Sequence, residues 1–296
     1  MWGRYLRLFI IFITISIPAL PSAAAKEGRA PSLSVEGILR FDLYRGYLMV
    51  ARGTVGPLKG LHFLLDTGTS TTLLDSRIAR KLNVNGIPED VDIICLKSGV
   101  RATHAQIPSI EIGPVQQKDV SVLVQDLSIF DDALPVHIDA VIGLDVLGTS
   151  PFEVNYRTRR IHFGQLPHLP VSVPLSVEEG LAMVKVELND TTAHLILDTG
   201  TPSLLIFRAR IPKAIAGLKM HKPQDAHARG SLRDHEVHLP KIRLGTAEFV
   251  RQSAIVVENR DEGGREFDGL LSPAALGIDA FAVDLDRGSL ELRFGM

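Results

Sequence analysis

The 296-residue chain contains a single cysteine, Cys95, so an intrachain disulfide is excluded. A chain without disulfides depends on packed hydrophobic cores for its stability. We interpret Cys95 as a small buried apolar residue, since only composition supports a thiol nucleophile paired with His104. The formal net charge of −2 argues against a nucleic-acid-binding protein and against a polybasic membrane-surface protein.

The sequence also lacks the short motifs of several large enzyme classes. It has no Gly-x-Ser-x-Gly elbow of a serine hydrolase and no glycine-rich phosphate loop. The tightest histidine cluster, His235-Glu236-Val237-His238, lies in strand-like sequence, where residues three apart point to opposite faces. It does not have the His-Glu-x-x-His spacing of zinc peptidases. We therefore expect no metal and no cofactor.

A long apolar run begins at Leu8 and ends at Leu20. It follows two arginines and precedes small residues suited to cleavage, which is the pattern of a secretory signal peptide over residues 1–25. Pro18 interrupts the run, which is short for a membrane span. We therefore expect export to the periplasm or the medium with removal of residues 1–25, leaving a flexible lead-in at residues 26–36. Retention of the segment as a membrane anchor is the alternative.

One six-residue motif occurs twice in the sequence. Leu-Leu-Asp-Thr-Gly-Thr at residues 64–69 returns as Ile-Leu-Asp-Thr-Gly-Thr at residues 196–201. In each copy, apolar residues lead into an aspartate, a small hydroxyl residue and a glycine, which predicts a buried strand ending in a tight turn. His62 and His194 stand at the same place before each aspartate, and we interpret both as structural.

The repeat extends well beyond these turns. Residues 108–113 match residues 240–245, and residues 139–143 match residues 268–272. The chain therefore consists of two copies of one unit, with a proline-rich joint near residues 165–174. We predict an N-terminal lobe at residues 37–166 and a C-terminal lobe at residues 167–296.

Most of the remaining sequence consists of short strand-like runs separated by Gly, Pro, Asn or Asp. Helical patterning is limited to residues 75–82, with Asp75 or Ser76 as the N-cap, and to residues 272–276. The chain is therefore predicted to be mostly β.

Two similar lobes related by a pseudo-two-fold axis would place Asp66 and Asp198 opposite each other. Two carboxyl groups a hydrogen bond apart share a proton and titrate as a coupled pair. One carboxylate can then act as a general base on a water molecule, while the other, protonated, donates to a substrate carbonyl oxygen. This is the known chemistry of the aspartic protease dyad.

The paired turns resemble those of the bilobal, single-chain aspartic peptidases of the pepsin and retropepsin superfamily. The compact lobes are closest to the retropepsin-like bacterial type, and the resemblance spans roughly residues 37–295. It implies two similar lobes of the acid-protease β-barrel type, related by a pseudo-two-fold axis. It also implies an endopeptidase in which Asp66 and Asp198 are the catalytic pair.

The same resemblance assigns supporting residues to both turns. Thr67 and Thr199 would brace the turns by hydrogen bonds. Gly68 and Gly200 would let the backbone approach the carboxylates, and Thr69 and Thr201 would bind the outer carboxylate oxygens. An apolar pair would pack under each turn, namely Val141-Ile142 and Leu270-Leu271.

Two features depart from the family pattern. Ser272 stands where the family has a glycine after the apolar pair, although the first half keeps Gly143 there. In addition, no tyrosine lies in the region of a pepsin-type flap. The candidate flaps are the turns around Gly99 and Gly230, since glycine permits a tight hairpin.

The sequence therefore predicts an exported aspartic endopeptidase that takes a peptide or protein substrate in extended form between its lobes. A monomer would suffice because one chain carries both aspartates. We expect no contact with nucleic acid, and membrane contact only if residues 1–25 are retained. The alternatives are a non-catalytic peptide-binding module on the same fold and a membrane-tethered processing factor.

Overall fold

A computed structural model describes residues 12–14, 35–94, 100–222, 235–258 and 267–295. The strands of these residues form one sheet of nine strands and one of twelve. Two short α-helices, α1 (Ser76–Lys81) and α2 (Leu144–Leu147), and short 3₁₀ segments lie between strands. The predicted mostly β, two-lobed fold is confirmed.

The strands are numbered in chain order. They are β1 (Phe12–Thr14), β2 (Gly37–Arg40), β3 (Asp42–Tyr44), β4 (Leu48–Val55), β5 (Leu58–Leu65), β6 (Leu73–Asp75), β7 (Gly86–Ile94), β8 (Val100–Ile112), β9 (Val115–Gln125), β10 (Ala140–Ile142), β11 (Phe152–Asn155), β12 (Arg160–Phe163), β13 (Val171–Glu178), β14 (Leu181–Leu188), β15 (Thr191–Leu197), β16 (Leu204–Phe207), β17 (His235–Leu244), β18 (Ala247–Val257), β19 (Gly269–Leu271), β20 (Ile278–Asp284) and β21 (Ser289–Phe294).

Each half of the chain contains the same arrangement around its aspartate. In the first half, β10 lies between β5 and β6, parallel to β5 and antiparallel to β6. In the second half, β19 lies in the same way between β15 and β16. Asp66 and Asp198 directly follow β5 and β15. The sequence repeat is therefore a repeat of topology, and it places both aspartates at equivalent strand ends.

The two halves are joined by a continuous run of strands in the order β13-β21-β20-β11-β12-β2. At its centre, Phe152 pairs with Val283, and Val154 pairs with Phe281. The repeat equates Phe152 with Phe281 and Val154 with Val283, so the two halves exchange equivalent partners. Such reciprocal pairing is what a two-fold axis produces. The strands β2, β11 and β12 of the first half thus share a sheet with strands of the second half.

The strands that lead into the aspartates are buried on both faces. Leu65 and Leu197 belong to the main hydrophobic core, which is continuous across the two halves. Their neighbours Leu64 and Ile196 point to the opposite face and join two separate apolar clusters. Burial on both faces explains the continuous apolar sequence before each aspartate, and it holds each strand end rigidly.

The two predicted helical segments have different outcomes. The first is α1, and the Asp75 carboxylate accepts a hydrogen bond from the Arg77 backbone N–H as its N-cap. The second is a 3₁₀ turn at Ala274–Leu276, ended by Gly277 in the left-handed conformation (φ 64°). Within the described ranges, no helix has the length and apolar character needed to cross a bilayer.

Candidate active site

The two Asp-Thr-Gly turns have the same local geometry. In the first, the Gly68 N–H donates to Asp66 Oδ1 at 2.8 Å, and in the second the Gly200 N–H donates to Asp198 Oδ1 at 2.6 Å. The backbone N–H of each aspartate is held by the strand beneath it, through Ile142 O (3.0 Å) and Leu271 O (2.9 Å). Each aspartate is therefore fixed at both its backbone and its carboxyl group by its own lobe.

Thr67 and Thr199 connect the two turns. The Thr67 N–H donates to Thr199 Oγ1 at 3.1 Å, and the Thr199 N–H donates to Thr67 Oγ1 at 3.2 Å. The two hydroxyls donate in turn to Leu197 O (2.8 Å) and Leu65 O (3.2 Å). Both hydroxyls therefore act as donor and acceptor across the pseudo-two-fold axis, and the turns are held side by side.

The Asp66 and Asp198 side chains lie within hydrogen-bonding reach of each other. Both are buried, with 3% and 0% of their surface exposed. A Cβ atom added at Gly200 would lie 2.6 Å from Asp66 Oδ2, well inside the contact distance. The second turn therefore approaches the Asp66 carboxyl group so closely that any side chain at position 200 would displace that carboxyl group.

Burial controls the electrostatics of this pair. It raises the pKa of Asp66 to about 6, against hydrogen bonds from the Gly68 N–H, the Asp198 side chain and the Gly200 N–H that lower it. Burial and the neighbouring charge of Asp66 raise the pKa of Asp198 well above its ordinary value. Asp198 Oδ2 is also buried without a hydrogen-bond partner among the described residues. Both shifts oppose ionisation, so the pair shares one proton around neutral pH.

The apolar pairs predicted to pack under the turns lie in the supporting strands. Val141 and Ile142 of β10 pair with Leu64 and Leu65, and Leu270 and Leu271 of β19 pair with Ile196 and Leu197. All of these side chains are buried.

The hydroxyl groups of Thr69 and Thr201 donate to the backbone of their own turns. Thr69 Oγ1 donates to Thr71 O at 2.9 Å, and Thr201 Oγ1 donates to Ser203 O at 3.2 Å. This contact directs the single Thr201 hydroxyl proton to Ser203 O, and the predicted bond between this hydroxyl and the carboxyl group stays a prediction. The backbone N–H of Thr201 bonds to Asp198.

Two tyrosines that were not among the predicted site residues lie near the pair. The hydroxyl of Tyr156 is buried without a partner among the described residues, and its ring packs against Phe41 and Phe281. Burial, and then the nearby Asp198 and Asp66, raise the pKa of Tyr156. The pKa of Tyr47 is raised to about 12: burial raises it most, the charge of Arg45 lowers it and the charge of Asp198 raises it. Both phenols are thus neutral neighbours of the pair.

A comparison of the two repeats could have drawn attention to Tyr156. Its counterpart in the second half is Leu285, so a polar ring replaces an apolar residue at this position. The family pattern directs attention to a tyrosine in the flap region instead, and Tyr156 lies outside that region of the sequence.

The predicted flap glycines, Gly99 and Gly230, lie outside the described residues. The strands on either side of Gly99, β7 and β8, pair antiparallel up to Val91 and Val100. The described strands on either side of this candidate are therefore paired with each other. The Gly230 candidate precedes β17, in which Glu236 forms an isolated bridge to His221.

His62 and His194 contribute to the fold through their backbones. Their N–H groups donate to Asp139 Oδ2 and Asp268 Oδ2, both at 2.9 Å, which ties β5 and β15 to the segments that enter β10 and β19. The His235-to-His238 cluster lies in β17, as the sequence indicated. The described part of the chain contains no group of three or more His, Cys, Asp or Glu side chains placed to hold a metal ion. Cys95 lies outside that part.

No curated protein matches this chain. A family model described as aspartyl protease matches residues 51–146 and, again, residues 184–279. Each match includes one Asp-Thr-Gly turn and the strand that supports it, and together they cover more than half of the sequence. The chain therefore belongs to the aspartyl protease family.

Proposed function

We propose that this protein is an endopeptidase in which Asp66 and Asp198 form the catalytic dyad. Membership of the family supports a peptidase function in general. The observation that carries the specific proposal is the juxtaposition of two buried carboxyl groups from equivalent turns, within hydrogen-bonding reach and with raised pKa values. Groups tuned in this way at a braced, buried position are typical of catalysis.

The dyad acts with one shared proton. Asp66, whose pKa of about 6 is the lower of the two, is ionised and takes a proton from a water molecule. The water oxygen bonds to the substrate carbonyl carbon, and Asp198 donates its proton to the carbonyl oxygen. The tetrahedral species then collapses, the carbon–nitrogen bond breaks, and the proton on Asp66 passes to the leaving amine. Asp198 recovers its proton from the hydroxyl group, so the dyad is regenerated.

The substrate is a peptide or protein bound in extended form between the two lobes, as is usual for recognition by strands. The proposal needs only one chain, because both aspartates and both bracing threonines belong to it. Tyr47 and Tyr156 lie close enough to Asp198 for its charge to raise their pKa values. Both phenols therefore stay neutral and add no charge beside the dyad.

We also propose that the protein is exported and that residues 1–25 are removed. The supporting observation is the three-part sequence pattern, which includes β1. Because β1 pairs with β7, its removal makes β7 an edge strand. Mass spectrometry of the protein recovered from the exported fraction tests this: an N-terminus near residue 26 is expected, and an N-terminus at Met1 contradicts it.

The dyad is tested by digestion of a denatured protein mixture from about pH 3 to about pH 8. Asp66→Asn and Asp198→Asn are each expected to lower kcat at least about a thousandfold, since each removes a group that acts as part of one unit. A statine-type inhibitor, which mimics the tetrahedral species, is expected to block the wild-type enzyme.

Asp132→Asn is the matched control, because Asp132 is exposed. It is expected to cleave like the wild type. Cleavage that survives in both dyad variants contradicts the proposed mechanism. Peptides that bind but are never cut would instead support a peptide-binding module on this fold.

A further inference from the structure

The support under the first catalytic turn uses a backbone donor. The Leu144 N–H donates to Thr69 O at 2.9 Å, where the chain leaves β10 and enters α2. The residue before it is Gly143, at which an added Cβ atom would lie 2.8 Å from that same carbonyl oxygen and 2.9 Å from Asp145 Oδ1. The first lobe thus combines a glycine that allows close packing with a following N–H that binds the turn.

The second lobe cannot use this solution. Pro273 stands at the place of Leu144, and proline has no backbone N–H to donate. Ser272 stands at the place of Gly143 and is fully buried. Its hydroxyl donates to Thr201 O at 2.6 Å and accepts from the Ala275 N–H at 3.3 Å. A side-chain donor therefore replaces the missing backbone donor, and the hydroxyl is held on both sides.

This contact bears on the proposed dyad through Thr201. The carbonyl group of Thr201 accepts from Ser272, while its N–H bonds to the Asp198 carboxyl group. The two groups lie in adjacent peptide planes that share the Thr201 Cα atom, so holding the carbonyl group limits how far the turn can move and keeps the N–H near the carboxyl group. Without a donor, the buried carbonyl group would be left unsatisfied, and the turn would be free to rotate away.

We infer that Ser272 is a positioning residue for the Asp198 turn, and that it is required because Pro273 follows it. The inference rests on the proposed function for its effect on turnover. Ser272, in place of glycine, thus compensates for the proline that follows it.

The test is a double-mutant cycle of Ser272→Ala and Pro273→Ala. Ser272→Ala is expected to lower kcat on the order of tenfold with KM nearly unchanged, since a buried carbonyl group loses its donor. Pro273→Ala is expected to behave like the wild type. In the double variant, the new N–H at position 273 replaces the lost hydroxyl, as Leu144 does in the first lobe, so most of kcat should return.

Ser150→Ala is the matched control. Ser150 is also buried and accepts a hydrogen bond from the N–H of Val35, a residue outside both turns, at 3.1 Å. Its loss is expected to lower stability but to leave kcat unchanged. If Ser272→Ala does not fold, Ser272→Cys takes its place, because a thiol is a weak donor of similar size. An intermediate kcat is expected from that variant.

A second readout does not need activity. NMR titration of the Asp198 carboxyl carbon is expected to show a higher pKa in Ser272→Ala than in the wild type, because the Thr201 N–H that lowers this pKa is no longer held. In the double variant, the pKa of Asp198 is expected to return to the wild-type value. Folded Ser272→Ala or Ser272→Cys with wild-type kcat, or a double variant without recovery, overturns the inference. If even the wild type cleaves nothing, the proposed function fails, but the titration still tests the role of Ser272. An Asp198 pKa that is the same in Ser272→Ala and the wild type overturns that role.

Discussion

Thr67 and Thr199 exchange hydrogen bonds across the joint between the two halves of the chain, although 132 residues separate them. Each hydroxyl accepts from the backbone N–H of the other threonine and donates to the carbonyl group of the residue before the other aspartate. Every polar group in this brace is buried and used. The two aspartate turns therefore form one hydrogen-bonded unit, and a change in either is transmitted to both.

Removal of one hydroxyl from this brace should be costly. Thr67→Val keeps the shape of the side chain but leaves the Thr199 N–H and the Leu197 carbonyl group without a partner. We expect the free energy of unfolding to fall by about 2 kcal/mol or more. Thr67→Ser, which keeps the hydroxyl group, should lose less than about 1 kcal/mol. Urea denaturation of both variants measures the difference.

The same brace predicts non-additivity. Thr67→Val and Thr199→Val break one network, so the double variant should lose less stability than the sum of the two single variants. Equal stability of Thr67→Val and Thr67→Ser would show that the hydroxyl bonds do not hold the turns together.

The raised pKa values of the two aspartates predict how stability depends on pH. An acid whose pKa is higher in the folded state stabilises the fold fully below its unfolded pKa, and this contribution is lost as the pH rises through the folded value. For Asp66 the loss occurs between about pH 4 and somewhat above pH 6. Asparagine resembles the protonated acid, so Asp66→Asn should be more stable than the wild type at pH 7 by an amount on the order of 2 kcal/mol.

The measurement is thermal or urea unfolding of wild type, Asp66→Asn and Asp198→Asn across that pH range. The advantage of both variants should shrink as the pH falls towards 4. Asp132→Asn, at an exposed position, should follow the wild type. A variant that is less stable than the wild type at pH 7 would mean that the buried pair does not resist ionisation.

The local parts of this site could be predicted from the sequence because local residue types determine them. Apolar residues followed by Asp-Thr-Gly specify a buried strand and its turn, and Asp75 is a strong N-cap for α1. The helix α2 could not be predicted, since four residues are too few to show a helical period.

The contacts between distant residues could not be predicted in this way. Whether the Thr201 hydroxyl donates to a carboxylate or to Ser203 O depends on the conformation of the turn. The role of Ser272 becomes visible only when Thr201 is placed beside it, because the missing N–H of Pro273 matters only there. The pairing of β11 with β20 is likewise a long-range contact, and it brings together halves that the sequence presents as separate lobes.

The proposed dyad predicts an acid limit to activity. Asp66 must be ionised to take a proton from water, and burial raises its pKa to about 6. We therefore expect kcat/KM to fall about tenfold for each unit of pH below that value. A pH profile on one peptide substrate, corrected for unfolded protein, measures this. Full activity retained at pH 4 would contradict the assignment of Asp66 as the base.

A substitution at Gly200 can separate the effect of a displaced Asp66 carboxylate from the effect of a less stable fold. In Gly200→Ala, the new Cβ atom would lie 2.6 Å from Asp66 Oδ2 and 2.9 Å from its Cγ. The group that must yield is the end of a side chain, so the stability of the fold should change little. That same group is the proposed base, and its displacement should lower kcat/KM about a hundredfold.

Gly217→Ala is the opposite control. Gly217 has φ +75°, and no atom of the described residues lies within 4 Å of an added Cβ, so alanine there strains the backbone without touching the site. It should lose on the order of 1 kcal/mol of stability and keep its turnover. The two glycine variants together therefore distinguish a displaced carboxylate from a weakened fold. If Gly200→Ala keeps wild-type turnover, displacement of the Asp66 carboxylate does not affect the reaction. That result would contradict the assignment of Asp66 to the dyad.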